Sequence, residues 1–177
     1  VPAPVAHRPA TFIDVEFRAV PYDHPDAEAL IEDLQQEYVH RYGGRDTTPV
    51  DPAEFAPPGG IFVIGYDDDG KPLGCGGWRT HDGSDPDLLP GDVELKRMYV
   101  APRARGQGHS RALLAELERT AAVAGLCRMV LHTGTQQPEA LALYASSGYT
   151  PIPGFGHYRD APDGRYFSKP LRQDLLS

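Results

Sequence analysis

Cysteine is scarce: the 177 residues hold two, Cys75 and Cys127. They lie far apart and outside any CxxC or Cys/His spacing that would hold zinc, a usage that suits a reducing cytoplasm. Long apolar runs are missing too. No stretch of 18 apolar residues exists to span a bilayer, and Val1 to Pro9 carries prolines where a signal peptide needs an apolar core. These absences predict a soluble, unexported, cytoplasmic chain with no membrane contact. Positive charge is also short, with 17 Lys and Arg against 25 Asp and Glu and a net charge of −8. That excludes an extended basic face for nucleic acid. It mildly favours cationic partners, although solubility alone accounts for such acidity.

What is present suffices for one core: 40% of the chain is apolar. Residues 11–172 read as a single domain between tails at 1–10 and 173–177. Thr11 to Val20 alternates as a strand. Pro25 with Asp26 and Glu28 opens a helix capped by Asp23 or His24, which runs to about Tyr42 before Gly43-Gly44. The proline-rich stretch from Asp46 to Gly60 reads as a loop. Ile61–Tyr66 and Pro72–Arg79 form a hairpin around Asp67-Asp68-Asp69-Gly70. That acidic turn lacks the ligand spacing of a calcium loop. Val93 to Val100 is a strand, and Gly108 to Ala124 carries an apolar helical stripe ending at Gly125. Cys127–Thr133 reads as a strand and Pro138–Ser147 as a short helix. Further strands are expected at Tyr149–Ile152 and Tyr166–Leu171.

The turn Arg103-Ala104-Arg105-Gly106-Gln107-Gly108-His109-Ser110 joins a strand to the helix with the apolar stripe. Free N–H groups at a helix start, together with the positive end of its dipole, make an anion site. Gly106 and Gly108 keep side chains out of the approach. A P-loop needs Lys and Ser or Thr after its last Gly, yet His109 follows Gly108. A dinucleotide fingerprint begun at Gly106 needs Gly at position 111, where Arg111 stands. The pattern that fits is Arg-x-x-Gly-x-Gly, preceded by Glu94-Leu95-Lys96-Arg97-Met98-Tyr99-Val100.

This arrangement resembles the acyl-CoA-binding motif A of the GNAT acetyltransferases. A second segment, Gln137-Pro138-Glu139-Ala140-Leu141-Ala142-Leu143-Tyr144 continuing to Gly148-Tyr149, is similar to the family's second CoA-contacting region, with Gln137 and Tyr149 where Asn and Phe are usual. The resemblance implies an α/β (α+β) fold: a mixed, mostly antiparallel central sheet of about six to seven strands flanked by helices. The sheet would be splayed between Val93–Val100 and Cys127–Thr133, with the cofactor entering the gap. Acetyl-CoA is the implied donor and the amine of a small molecule, or a peptide N-terminus or lysine, the implied acceptor, with no metal required. The motifs look like a bacterial subgroup acting on small substrates, and the resemblance leaves a homodimer open.

The same resemblance assigns roles. Backbone groups of Met98, Tyr99 and Val100 would hold the pantetheine arm, and Arg103, Arg105, Gly106, Gln107, Gly108, His109 and Ser110 the pyrophosphate. Gln137, Ala140 and Tyr144 would contact CoA from the short helix. Glu94 is the expected base, directly or through water, with an ion pair to Lys96 or Arg97 as its alternative. Tyr144 is the expected donor to the leaving thiolate, and backbone N–H groups near Met98 or Tyr99 would meet the oxyanion. Acceptor contacts are expected among Glu37, Arg41, Tyr42, Trp78, Arg79, His132, His157 and Tyr158. Neither cysteine occupies a nucleophile position, which favours direct transfer in a ternary complex. A non-catalytic acyl-CoA sensor is the alternative function, and hydrolysis of acyl-CoA a third.

Overall fold

A computed structural model describes residues 14–171, so both expected tails and Thr11–Ile13 fall outside the described part. The chain runs β1 (Glu16–Ala19), α1 (Pro25–Tyr42), β2 (Gly60–Tyr66), β3 (Pro72–Thr80), β4 (Asp92–Val100), α2 (His109–Val123), β5 (Arg128–Gly134), α3 (Pro138–Ser146), β6 (Thr150–Pro151) and β7 (Gly164–Pro170). One seven-stranded sheet has the order β1-β2-β3-β4-β5-β7-β6. All its pairings are antiparallel except β4 with β5. The mixed, mostly antiparallel sheet with flanking helices is the architecture expected above.

Local chemistry sets the helix ends. His24 rather than Asp23 caps α1, its Nδ1 accepting from the Asp26 N–H at 3.1 Å. Gly43 closes that helix at φ 78°. The loop after it holds one 3-10 turn, Pro52–Phe55, with Asp51 and Glu54 forming a reciprocal capping box.

Two apolar layers cover the sheet. On one face α2 lays Leu113, Leu114 and Leu117 against Val93, Leu95 and Met129. On the other, Leu30 and Leu34 of α1 pack with Phe55, Phe62 and Ile64. Alternation along β4 therefore sends Val93 and Leu95 to the α2 face and Glu94 and Lys96 to the face shared with α1. Among the described residues no helix is long and apolar enough to cross a membrane.

Candidate active site

The β4–β5 ladder is brief. It pairs Asp92, Val93 and Glu94 with Arg128, Met129 and Val130 and then stops, so the strands diverge toward their C-terminal ends. Asp92 and Arg128 clamp the closed end through two hydrogen bonds of 2.7 and 2.6 Å. The open end exposes usable backbone. Ala101 N–H donates to Leu73 O at 2.8 Å, while Val100 stands opposite Gly74. In an antiparallel ladder bonded and non-bonded pairs alternate, so the N–H and C=O of Val100 face the gap. A strand-like ligand arm finds an edge there.

Just before that edge β4 bulges. Cys75 pairs with Tyr99 and Gly77 with Lys96, leaving Arg97 and Met98 opposite the single Gly76. Arg97 takes a left-handed φ of 58°, which gives the strand an extra residue and re-aims its backbone.

Beyond β4, Gly106 and Gly108 hold φ values of 75° and 82°, and a Cβ at either would meet no protein atom within 4 Å. Within the chain itself, the demand for glycine is conformational rather than steric. Gly108 is the N-cap of α2 and no side chain caps that end, so the first N–H groups of the helix remain available to an anion. They open on a cavity of about 280 Å³ whose wall includes Met98, Tyr99, Val100, Arg105, Gly106, Gly108, His109 and Ser110, with Gln137, Ala140 and Tyr144 of the α3 segment opposite. Eleven of the thirteen cofactor residues anticipated from sequence line this groove. Arg103 and Gln107 do not. Arg103 turns to the β2–β3 hairpin, donating to Pro72 O at 2.9 Å and Asp67 Oδ2 at 3.3 Å. Arg105 lies over the groove, donating from Nε to Val100 O at 2.8 Å and from Nη2 to Glu37. Arg41 spans the rim, donating to Gln136 O at 2.9 Å and gripping Glu139 at 2.8 and 3.1 Å.

A second cavity, of about 310 Å³, lies on the other side of the bulge. Its wall comes from six stretches of chain: Tyr38 and Tyr42 of α1, Arg45 and Asp46 after it, Lys96 to Met98 of β4, His132 to Gly134 of β5, Gln137 to Tyr144 of the α3 segment, and Tyr158 to Gly164. Both cavities share Met98, Gln137, Ala140 and Tyr144, so they meet where the splayed strands face α3. Tyr144 is buried among Tyr149 and Phe167, and burial raises its pKa, keeping the phenol protonated. Its hydroxyl makes no hydrogen bond with the described residues. Tyr42 passes close over Gly134, where a Cβ would collide with its hydroxyl, and accepts from Gln137 Nε2 at 3.2 Å. His132 is stacked between Tyr158 and Tyr166, with ring centroids at 5.3 and 5.0 Å. Burial, reinforced by the Lys96 charge, pushes its pKa below the ordinary imidazole value, so the ring is neutral at pH 7.

Glu94 sits elsewhere. It lines neither cavity and its side chain is 9% exposed, with Arg79 Nε and His81 Nε2 each 3.3 Å from Oε2 and Lys96 Nζ 3.8 Å from Oε1. Burial alone would raise its pKa. The His81 contact and the charges of Lys96 and Arg79 outweigh that and hold it at about 2. The ion pair with Lys96 considered from sequence is thus present.

Of the other acceptor residues anticipated from sequence, Tyr42, His132 and Tyr158 line the second cavity, and Glu37 and Arg41 line the first. Trp78 points into the α2 core and donates to Thr120 Oγ1 at 2.9 Å. Arg79 is held by Glu54, Pro49 O and Glu94, and His157 lies against Thr47. Sequence reasoning missed Tyr38, Asp46 and Asp163, and it treated Lys96 and Arg97 only as partners of Glu94.

A splayed sheet with a phosphate-ready helix start at one side of the gap and a second cavity at the other defines an acyl-CoA-type acyltransferase. Residues 27–149 match the acetyltransferase (GNAT) family, and the chain belongs to that family as an N-acetyltransferase whose donor is acetyl-CoA. An IAA acetyltransferase of Azospirillum brasilense is 33% identical over 142 residues, covering 80% of this chain and 88% of that protein. A Klebsiella pneumoniae structure, provisionally assigned as an acyl-CoA N-acyltransferase, superposes with a TM-score of 0.71 at 28% identity over 89% of this chain and 98% of its own. The spermidine N-acetyltransferase of Vibrio cholerae, solved with CoA and spermine, shares the fold with a TM-score of 0.63 at 16% identity, covering 91% and 98% of the two chains.

Proposed function

We propose that the chain transfers the acetyl group of acetyl-CoA to the primary amine of a small molecule by direct attack with both substrates bound. The observation that carries this reading is the junction of the two cavities at Met98, Gln137, Ala140 and Tyr144. A donor lying along β4 would present its acyl end there. An acceptor filling the 310 Å³ cavity would approach the same point from the other side. That volume, roofed by α1 and the 158–164 loop, suits a small acceptor better than a protein segment.

Attack requires a neutral amine, whereas a free alkylamine is mostly protonated at pH 7. His132 is our candidate proton acceptor: it lines the acceptor cavity and its imidazole is already neutral. Glu94, at about 2 and behind Lys96, is then a positioning residue that holds Arg79 and Lys96. For the oxyanion, Tyr99 is engaged opposite Cys75, which leaves the N–H of Met98 beside the bulge as the donor. Tyr144, protonated and with a free hydroxyl at the junction, gives its proton to the leaving sulfur. Neither cysteine lines either of these two cavities; Cys75 is buried and burial raises its thiol pKa, so it stays protonated. That supports transfer without an acyl-enzyme.

The test is release of CoA thiol with acetyl-CoA and a panel of primary amines, followed by initial rates with both substrates varied. Intersecting double-reciprocal lines are expected. Parallel lines would refute direct transfer, thiol release independent of amine would indicate a hydrolase, and tight CoA binding without turnover would indicate a sensor.

A further inference from the structure

Lys96 is a buried cation whose hydrogen-bonding capacity the described residues do not use. Its side chain is 10% exposed, yet its ammonium makes no hydrogen bond with the described residues, and its nearest carboxylate oxygens are Asp46 Oδ2 at 3.7 Å and Glu94 Oε1 at 3.8 Å. Asp46 is engaged elsewhere through both oxygens and Glu94 through one, Oε2. Asp46 Oδ2 accepts from Arg97, and Oδ1 accepts from Thr48 N–H at 2.9 Å and Thr48 Oγ1 at 2.6 Å. Glu94 Oε2 accepts from Arg79. An ammonium carries three donors, and a buried charge left without hydrogen bonds is costly. Burial accordingly lowers the Lys96 pKa, against the pull of Glu94 and Asp46.

Lys96 is one of the residues that line the acceptor cavity. The balance of charge on that wall reverses that of the chain: Arg45, Lys96 and Arg97 face Asp46 and Asp163, three cations against two carboxylates, in a protein of net charge −8. Arg45 is held by Glu32 at 2.9 and 2.8 Å, and Arg97 by Asp46 and Tyr22. Lys96 is therefore the cation with capacity to spare. Met98, two residues along the same strand, lines both cavities. A group held at Lys96 leaves its immediate neighbour close to the point of transfer.

Resting on the transfer reading above, we propose that the acceptor carries a carboxylate beside its amine, as an amino acid does, and that Lys96 binds this carboxylate. Aromatic rings at Tyr38, Tyr42 and Tyr158 then face the remainder of the molecule and fit an apolar or aromatic side chain. A polycation finds little to bind: Asp46 is already engaged, and Asp163 is an exposed residue of the 158–164 loop.

The experiment compares amino acids with their amides, such as phenylalanine with phenylalaninamide and leucine with leucinamide, by thiol release from acetyl-CoA. Amides have the less basic and more readily neutral amine, so bare reactivity favours them. The free acids are expected to show kcat/KM roughly tenfold to a hundredfold higher, the value of one charged hydrogen bond. Lys96→Met should collapse this ratio through the KM of the acids, and Lys96→Arg should keep most of it. Melting curves confirm that both variants fold. Amides turned over as well as acids by the wild type would overturn the carboxylate site and leave the transferase reading intact. If no amine releases thiol, the transferase reading fails, and calorimetric titration of phenylalanine and leucine into the CoA-loaded protein decides the site. Heat lost in Lys96→Met supports it; no heat with the wild type overturns it.

Discussion

Gly108 and Gly125 mark the two ends of α2 and share a φ of 82°, and a Cβ on either meets no protein atom within 4 Å. Replacing each by alanine is therefore one perturbation at two places. The left-handed conformation costs alanine about 1–2 kcal/mol, partly offset by about 0.4–1 kcal/mol from a less flexible unfolded chain. A net loss on the order of 1 kcal/mol lowers the melting temperature by roughly 2–4 °C in a domain of this size. Both variants should show it equally. Only Gly108 lines the donor groove, where a methyl group would hold the pyrophosphate off the N–H groups at the start of α2. Losing one charged hydrogen bond costs about 1.5–3 kcal/mol, so Gly108→Ala should weaken acetyl-CoA binding about tenfold to a hundredfold while Gly125→Ala binds normally. Calorimetric titration alongside thermal melts separates the two effects. Equal acetyl-CoA affinity in both variants would remove the phosphate-cradle assignment.

Tyr144→Phe removes a hydroxyl that has no hydrogen-bond partner among the described residues, so stability should hold while kcat falls roughly a hundredfold or more; unchanged kcat would dismiss it as the proton donor. Because the His132 pKa is depressed, its proton-accepting form persists at pH 7, and kcat/KM should fall only as pH drops through a value below the ordinary imidazole range. His132→Gln should erase that limb of the profile. Glu94→Gln should lower activity and move the limb to lower pH, because the Glu94 charge raises the His132 pKa, and loss of the limb would restore Glu94 as the base. Stability should respond differently. The Glu94 carboxyl, ionised down to about 2 when folded but only to its ordinary value of 4.5 when unfolded, contributes stability that is complete above pH 4.5 and is lost as pH falls toward 2. Acid melts of Glu94→Gln should show a shallower decline across that window.

The donor side of the site is legible because its chemistry is local. A strand, a glycine turn and a helix start are contiguous, and the positive φ values at Gly106 and Gly108 follow from that connection. Helix limits were readable for the same reason, from Pro25 and Gly43 in α1. Arg103 misled because a guanidinium near a phosphate turn invites a phosphate role, whereas the hairpin packed beside it supplied Asp67 and the Pro72 carbonyl.

By itself, the sequence determined the family, the order of elements and the glycine turn at the start of α2, since motif spacing and capping act over a few residues. Only the tertiary structure decided what faces the acceptor. That wall joins residues from α1, β4, β5 and the 158–164 loop, brought together by sheet pairing and by the early end of the β4–β5 ladder. Strand alternation puts Glu94 and Lys96 on one face. Register then separates them: Arg79 pairs across the sheet with Glu94 and closes over it, while Lys96, two residues further toward the gap, is left lining the cavity. Sequence spacing treats the two alike, because the difference between an enclosed carboxylate and an available ammonium is made by neighbours distant in the chain.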